Sequence, residues 1–449
     1  MLSEIFKAYD IRGTYPDQVN EDVAYKIGRA FAYFLKAKDI IIGTDMRISS
    51  PKLSMALMEG ITDQGANAIF IGQVCTDAVY FASGFLNKPG VMFTASHNPP
   101  QYNGMKLCRE NAIPINENTG IRKIRELVDN FDSIFVEKPK KKGKIIKKDI
   151  LKKYVKHVKS FIDIKKLRNL KIAVDAGNGM AGKIIPLVYK NLPIKIIPLY
   201  FRLDGNFPNH LADPSKYENL VQLQKIIREK KCDFGMAFDG DADRIFFVDE
   251  NGNIINSSLI SSLIVKNILS KRKNAKIIHN VVCSKIVPET IKKYGGTPII
   301  ERVGHSFIKE TMRQTKAVFA CEHSAHYYYI DNYRADSGII TSLIVAEIIS
   351  KEKKPLSKLL DEFRKYHTIE ETNVEVKDKG AKLNEIELIH KKQNPKSISR
   401  LDGVSVDFKD WHFNVRPSNT EPLLRLNLEA NSEELMKRKK EELITIMKR

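Results

Sequence analysis

Ile40-Ile41-Ile42-Gly43 leads through Thr44-Asp45-Met46-Arg47 into a helical pattern from about Pro51 to Gln64, and then into Ala68-Ile69-Phe70-Ile71-Gly72. Strand, loop, helix and strand within about thirty residues make a βαβ unit, whose parallel strands are covered on both faces. The layout returns twice. Lys171-Ile172-Ala173-Val174-Asp175 runs through Ala176-Gly177-Asn178-Gly179 and a helix to Ile194-Lys195-Ile196-Ile197. Lys276-Ile277-Ile278-His279 runs through Ser284 and a helix ending near Tyr294-Gly295-Gly296 to Pro298-Ile299-Ile300. Three units of one pattern predict three similar α/β domains. The tail from about residue 368 differs: it has alternating strands such as Val404–Phe408 and Leu424–Leu428, then a closing helix Glu433–Lys448, which reads as a small α+β domain. Boundaries fall near 148, in a lysine-rich linker, near 252, after the turn Glu250-Asn251-Gly252, and near 367, after a charged helix Leu356–Lys365. The expected domains are 1–148, 149–252, 253–367 and 368–449.

A length of 449 residues suits about three or four domains. Hydrophobic content of 43% and charged content of 29% match soluble globular chains. No apolar run reaches the ~18 residues of a membrane span, and the acid at Glu4 argues against a secretory signal. The five cysteines are scattered without a Cys-x-x-Cys pair, so neither a disulfide framework nor structural zinc is expected, and a reduced cytoplasm fits. The net charge of +20 admits nucleic acid, an acidic membrane or a small anionic substrate as partner. Much of it lies in Lys138-Pro139-Lys140-Lys141-Lys142-Gly143-Lys144 with Lys147 and Lys148. That run lacks aromatics for base stacking and reads as an exposed linker, with nucleic-acid binding as the weaker alternative.

Four stretches carry chemistry. Thr94-Ala95-Ser96-His97-Asn98-Pro99 follows the buried strand end Gly90-Val91-Met92-Phe93, and a turn expected at Asn103-Gly104 brings Lys106 back toward Ser96. This is either a phosphoryl or acyl carrier or a capped turn. Asp239-Gly240-Asp241-Ala242-Asp243-Arg244 sets three carboxylates at alternate positions between apolar segments, which is a site for magnesium or calcium. Without a cation each pair repels by up to ~4 kcal/mol at about 4 Å. An EF-hand is excluded, because Arg244 stands where that loop needs glycine and the flanks read as strands. Arg416-Pro417-Ser418-Asn419-Thr420-Glu421-Pro422 offers a guanidinium, hydroxyls and amides to a phosphate, although such residues also make ordinary turns. Ala320-Cys321-Glu322-His323-Ser324-Ala325-His326 suits sugar hydroxyls better than zinc, for which a third ligand at typical spacing is missing. Val303-Gly304-His305-Ser306 adds a histidine after an apolar strand.

Together these motifs resemble the α-D-phosphohexomutases, and among them the phosphomannomutase/phosphoglucomutase group, over essentially the whole chain and in the family's order. The resemblance implies three similar mixed-sheet α/β domains plus a C-terminal α+β domain around a central cleft. It implies a phosphorylated Ser96, with Mg2+ held by Asp239, Asp241, Asp243 and the Ser96 phosphate. Arg12, Lys106 and His305 would surround the transferring group. Arg244 would support the metal loop and sugar, and Glu322, Ser324 and His326 would take sugar hydroxyls. Arg416, Ser418, Asn419 and Thr420 would hold the unreacting phosphate. The implied reaction interconverts mannose 6-phosphate and mannose 1-phosphate through a hexose 1,6-bisphosphate, with glucose phosphates as further substrates. The implied protein is a cytoplasmic monomer or homodimer binding hexose phosphates, with no nucleic acid and no membrane. The chain departs from the family at Cys321 and Ala325, where glycines are usual, and at Val282, where many members carry a basic residue. Alanine at 325 and the segment Asp204-Gly205-Asn206-Phe207-Pro208-Asn209 resemble phosphomannomutases of nucleotide-sugar pathways. Phosphoglucosamine mutase ranks behind, since its loop normally has glutamine where His323 stands.

Overall fold

A computed structural model describes residues 4–137, 139, 141–418 and 423–449. Its strands form four sheets. The first holds β1 (Ile11–Thr14), β2 (Asp39–Thr44), β3 (Asn67–Gln73), β4 (Gly90–Phe93), β5 (Tyr102–Cys108) and β6 (Ile145–Lys147), in the order β1-β5-β4-β2-β3-β6. β2 runs parallel to β3 and β4, as the isoleucine runs and the intervening helix Ser50–Asp63 require, while β5 is antiparallel to both its neighbours. Ile40, Ile41 and Ile42 are fully buried, as expected of a strand covered on both faces.

The second sheet holds β7 (Leu170–Asp175), β8 (Ile194–Leu199), β9 (Phe234–Phe238), β10 (Ile245–Val248) and β11 (Ile254–Ile255), ordered β11-β10-β9-β7-β8. The third holds β12 (Lys276–Asn280), β13 (Thr297–Glu301), β14 (Phe319–Cys321) and β15 (Tyr327–Tyr329), ordered β13-β12-β14-β15. Both mix parallel and antiparallel pairs. The fourth holds β16 (His367–Thr368), β17 (Thr372–Glu375), β18 (Ser397–Ser399), β19 (Val404–Asp407), β20 (Trp411–Pro417) and β21 (Leu423–Ala430) and is antiparallel, covered by the helices Lys379–Lys391 and Glu433–Lys448. The chain therefore has three mixed-sheet α/β layers and a C-terminal α+β layer.

Two details differ from expectation. The segment after the lysine run is no free linker: β6 pairs parallel with β3, and the Gly143 N–H donates to the Thr62 carbonyl at 2.8 Å. Its lysines stay in water while the backbone completes a sheet edge, a usual way to blunt one; Lys138 and Lys140 lie outside the described residues. The helix expected over 356–365 is α-helical only at Leu356–Leu360 and tightens to a 3₁₀ turn at Asp361–Phe363, which buries Phe363. The second sheet closes with β11, just past residue 252.

The core explains how the layers sit. One continuous apolar cluster joins Ile41 and Ile69 of the first sheet to Phe234 of the second, Phe319 of the third and the helix Gly338–Glu352. The fourth layer has its own cluster around Phe413, Leu426 and Ile446. Asp77 stands at the junction of the first three layers, on the helix Thr76–Leu86 and fully buried. Its Oδ2 accepts hydrogen bonds from Tyr154 at 2.7 Å and from Ser337, which caps the helix Gly338–Glu352. Burial raises the Asp77 carboxyl to about 6, against the pull of those donors. No described helix is long and apolar enough to cross a membrane.

Candidate active site

β4 ends at Phe93, and the chain then leaves the sheet at its C-terminal edge, where open α/β sheets present their functional loops. Ser96 is 5% exposed and adopts the left-handed conformation, φ 49°, with its N–H held by the Thr94 hydroxyl at 2.9 Å. A non-glycine residue there stores strain that the surroundings must enforce. The chain reverses at Pro99–Tyr102, where the Tyr102 N–H donates to the Pro99 carbonyl at 3.1 Å. Asn103-Gly104, expected to turn, instead lies inside β5. The Asn103 amide is satisfied by the Ser49 and Ser50 hydroxyls, and Gly104 lets β1 approach so closely that a Cβ would sit 2.2 Å from the Ile11 carbonyl. The reversal still carries Lys106 back across from Met92.

The acidic loop joins β9 to β10, an antiparallel pair that bends it into a hairpin. Asp239, Asp241 and Asp243 are at most 1% exposed, and one oxygen from each lies within 4.8 Å of the others. Ala242, between two of them, is left-handed at φ 61°. The Ser96 hydroxyl donates to Asp239 Oδ2 at 2.6 Å, so the two sequence-predicted groups, 143 positions apart, meet directly. Gly240 permits this: a Cβ on it would lie 2.5 Å from the Ser96 carbonyl oxygen. Arg244 donates from Nε to Asp239 at 2.9 Å and from Nη2 to the Ser96 hydroxyl at 3.2 Å, and also contacts His97 Nδ1. Lys106 bridges Asp241 and Asp243 at 2.9 and 2.5 Å.

This centre is short of positive charge. Asp241 Oδ1 and Asp243 Oδ1 are buried and accept no hydrogen bond from any described residue. Burial, then the neighbouring Asp243 charge, pushes the Asp239 carboxyl well above its usual range in spite of Arg244. At Asp243 burial pushes up as well, but Lys106 and His326 outweigh it and hold the carboxyl low. Burial opposes the Lys106 charge, yet the two aspartates raise its pKa well above the ordinary lysine value and keep it an ammonium. Orphaned, oxygen-only donors around a small space fit a hard divalent cation such as Mg2+.

The other predicted groups gather around it. Arg12 donates to Asn98 Oδ1 in the serine loop at 2.7 Å and to Asp10 at 2.5 Å. His305 heads the helix His305–Thr315 and packs edge-on to Tyr9, with ring centroids 5.0 Å apart. Burial and the charges of Lys309 and Lys106 lower its pKa far below the ordinary histidine value, so it is neutral at physiological pH, and no described residue hydrogen-bonds its ring nitrogens. The loop after β14 begins at Glu322, not at Ala320, because Ala320 and Cys321 belong to the strand. Glu322 accepts from Asn280 at 3.1 Å, from the Gly304 N–H at 3.2 Å and from Tyr328. Ser324 and His326 Nδ1 are 2.9 Å apart, and His326 Nε2 stands 3.6 Å from Asp243, tying this loop to the acidic centre. Ala325 is left-handed, φ 64°, a conformation that favours glycine.

In the fourth layer the Arg416 guanidinium pairs with Glu371 at 2.8 Å, and Arg425 and Asn427 hold the same carboxylate at 2.9 and 3.0 Å. Burial resists that charge, but the two arginines dominate and draw the carboxyl down to about 2. Ser418, two residues beyond Arg416, is buried, its N–H donating to the Leu423 carbonyl at 2.8 Å. Asn419 and Thr420 lie outside the described residues.

Sequence reading missed several members. Thr76 donates its hydroxyl to Asp241 Oδ2 at 2.5 Å across 165 positions, and in sequence it is only a helix-initiating threonine. Asp336, ion-paired with buried Lys309 at 2.7 Å, lies 3.8 Å from His326. Its place after a tyrosine-rich strand carried no signal. Arg47 was read merely as part of a loop, though an arginine at the C-terminal end of a buried strand is a usable hint.

Four phosphoglucomutase/phosphomannomutase family models match successive stretches of the chain: α/β/α domain I at residues 3–134, domain II at 152–252, domain III at 256–366 and the C-terminal domain at 371–446. A phosphomannomutase of Vibrio cholerae is 40% identical over 458 residues, covering 99% of this chain and 98% of its own. A phosphomannomutase of Escherichia coli K12 is 38% identical, covering 98% of each chain. The crystal structure of a phosphoglucomutase/phosphomannomutase family protein from Burkholderia thailandensis superposes with a TM-score of 0.89 at 30% identity, covering 99% of this chain and 97% of that one. With the serine loop and the aspartate loop in contact and all four domains matched, the chain belongs to the phosphoglucomutase/phosphomannomutase family and is a phosphohexomutase.

Proposed function

We propose that this phosphohexomutase interconverts mannose 6-phosphate and mannose 1-phosphate, acting also on glucose phosphates, through a phosphoserine at Ser96 and a hexose 1,6-bisphosphate. The observation that carries the reading is the 2.6 Å contact of the Ser96 hydroxyl with Asp239, beside two orphaned carboxylate oxygens. The mannose preference is supported by the naming of the curated relatives.

Phosphoryl transfer depends chiefly on positioning and charge neutralisation. Asp239, Asp241 and Asp243, with an oxygen of the Ser96 phosphate, would hold Mg2+, which supplies Lewis-acid neutralisation of the transferring group. Arg12 and Lys106 add fixed positive charge on the same side. The sugar hydroxyl oxygen bonds to phosphorus as the bond to Ser96 Oγ breaks, forming the bisphosphate. Ser96 Oγ takes up a proton to become a hydroxyl again, and the sugar hydroxyl proton leaves to a nearby base. His305 is suited to that part because it is neutral and its nitrogens are uncommitted. Glu322, Ser324 and His326 orient the sugar hydroxyls, and Arg244 steadies Asp239 and Ser96 during transfer. Arg416, Ser418, Asn419 and Thr420 hold the phosphate that is not reacting. The bisphosphate then turns over and returns its other phosphoryl to Ser96. The fourth domain has an apolar core of its own, which suits an exchange in which it shifts against the rest.

Replacing Ser96 by alanine tests the reading. Turnover of mannose 1-phosphate should be lost, and mass spectrometry of the unsubstituted protein should find a phosphate on the Ser96 peptide. A near-normal rate in Ser96→Ala rejects the phosphoserine route.

A further inference from the structure

The serine loop owes its shape to a side chain that the mechanism above gives no part. Arg47 follows β2 and is 1% exposed. Its Nη1 donates to the carbonyls of Pro99 and Tyr102, both at 2.8 Å, and its Nη2 to those of Ser96 at 3.0 Å and Asn98 at 2.6 Å. Four carbonyls of an irregular, partly buried loop thus converge on one guanidinium. The Ser96 carbonyl is buried and would be costly to leave unpaired, and a planar fork of fixed donors meets all four acceptors at once.

The fork is itself gripped on two sides. Asp45 accepts from the Arg47 N–H at 3.0 Å and sets its other oxygen 3.4 Å from Nε. On the far side the guanidinium lies 5.2 Å from the ring of Phe207, in the second domain. Nearby, Gly205 presses so close that a Cβ would stand 2.9 Å from Arg47 Cα. Ser96 therefore has its N–H tied to Thr94, its carbonyl to Arg47, and its hydroxyl aimed at Asp239. Its left-handed backbone persists because both flanking peptide groups are held.

We infer that Arg47 is a positioning residue for phosphoryl transfer. It fixes where the Ser96 hydroxyl stands relative to the aspartate loop and couples that placement to the Asp204–Asn209 segment of the second domain. The inference rests on Ser96 being the phosphoryl carrier. Arg47 hydrogen-bonds none of Glu322, Ser324, His326, Arg416 or Ser418, so substrate affinity should not depend on it.

Steady-state kinetics of Arg47→Lys, Arg47→Ala and Ser96→Ala, with melting curves, test it. Arg47→Lys keeps a charge but loses the fork, and kcat should fall about 100-fold, as for a displacement near 1 Å. KM should stay within about threefold, since only the transfer step is touched. Added guanidinium should restore at least about tenfold of the rate lost in Arg47→Ala, filling the vacated donor site. A kcat in Arg47→Lys within about threefold of the unsubstituted enzyme, or an Arg47→Ala deficit that guanidinium leaves untouched, overturns the inference. Should neither variant fold, Phe207→Leu decides. A several-fold loss in kcat at constant KM supports the role, and an unchanged kcat overturns it. If Ser96→Ala is inactive while Arg47→Lys is normal, only this inference fails; if Ser96→Ala is active, the carrier reading fails and the inference with it.

Discussion

Replacing Gly240 with alanine would test whether catalysis depends on how closely the aspartate loop approaches Ser96. The new methyl would stand 2.5 Å from the Ser96 carbonyl oxygen, whereas ordinary contact begins near 3.4 Å. The two loops must separate by ~0.9 Å, the difference between those distances. Neither side gives cheaply: the Ser96 carbonyl is held by Arg47, and the Gly240 carbonyl accepts from the Met180 N–H at 2.8 Å. The displacement therefore falls on the Ser96–Asp239 contact, now 2.6 Å. A misplacement near 1 Å costs about 100-fold in rate, or about 2.7 kcal/mol of activation free energy. We expect kcat for mannose 1-phosphate to fall by that factor with KM little changed, because the groups placed around the sugar and distal phosphate are not displaced. A coupled assay of hexose 6-phosphate formation reads it, with a melting curve to show that the variant is folded. A folded Gly240→Ala enzyme with kcat within about threefold of normal would refute the claim that transfer needs these loops in contact.

Asp77→Asn should stabilise the protein in a pH-dependent way. The folded carboxyl titrates near 6 against 3.8 when unfolded, so Asp77 favours folding below about 4 and that contribution is lost as pH rises through about 6. Two units correspond to up to about 3 kcal/mol at pH 7.5, so melting should rise there by a few degrees and not at pH 4; an equal gain at both pH values would contradict the assignment. Asp241→Asn removes an orphaned oxygen and a partner of Lys106 and Thr76, and should raise the Mg2+ concentration needed for half-maximal rate at least about tenfold. An unchanged metal requirement would move the cation elsewhere.

How much was legible depends on the range of the interactions. The βαβ unit from Ile40 to Gly72 could be read because buried parallel strands leave continuous isoleucine runs and helices leave their own period, both local signals. The aspartate loop could be read because three like charges between apolar segments have few local explanations. The turn was misplaced at Asn103-Gly104 because that dipeptide usually marks one. Here close strand packing needed the glycine and buried hydroxyls engaged the asparagine. Thr76, Asp336 and Arg47 act on groups far away in sequence; the first two fit a helix start and a loop acid equally well, and Arg47 left only the hint of its place at a strand end. Only the assembled fold decides among those uses.

Under the mechanism proposed above, the pairing of Arg416 with Glu371 bears on how a bisphosphate could reverse itself without escaping. A dianion arriving at that guanidinium meets a carboxylate already seated there, itself secured by Arg425 and Asn427. Its gain is the difference between two charge-assisted contacts, rather than the whole of one. If Arg416 takes the distal phosphate as proposed, that hold would be shallow, with the carboxylate placed to reclaim the arginine when the ligand lets go. An intermediate that must be released by one end and recaptured by the other is better served by such a replaceable hold than by a deep one.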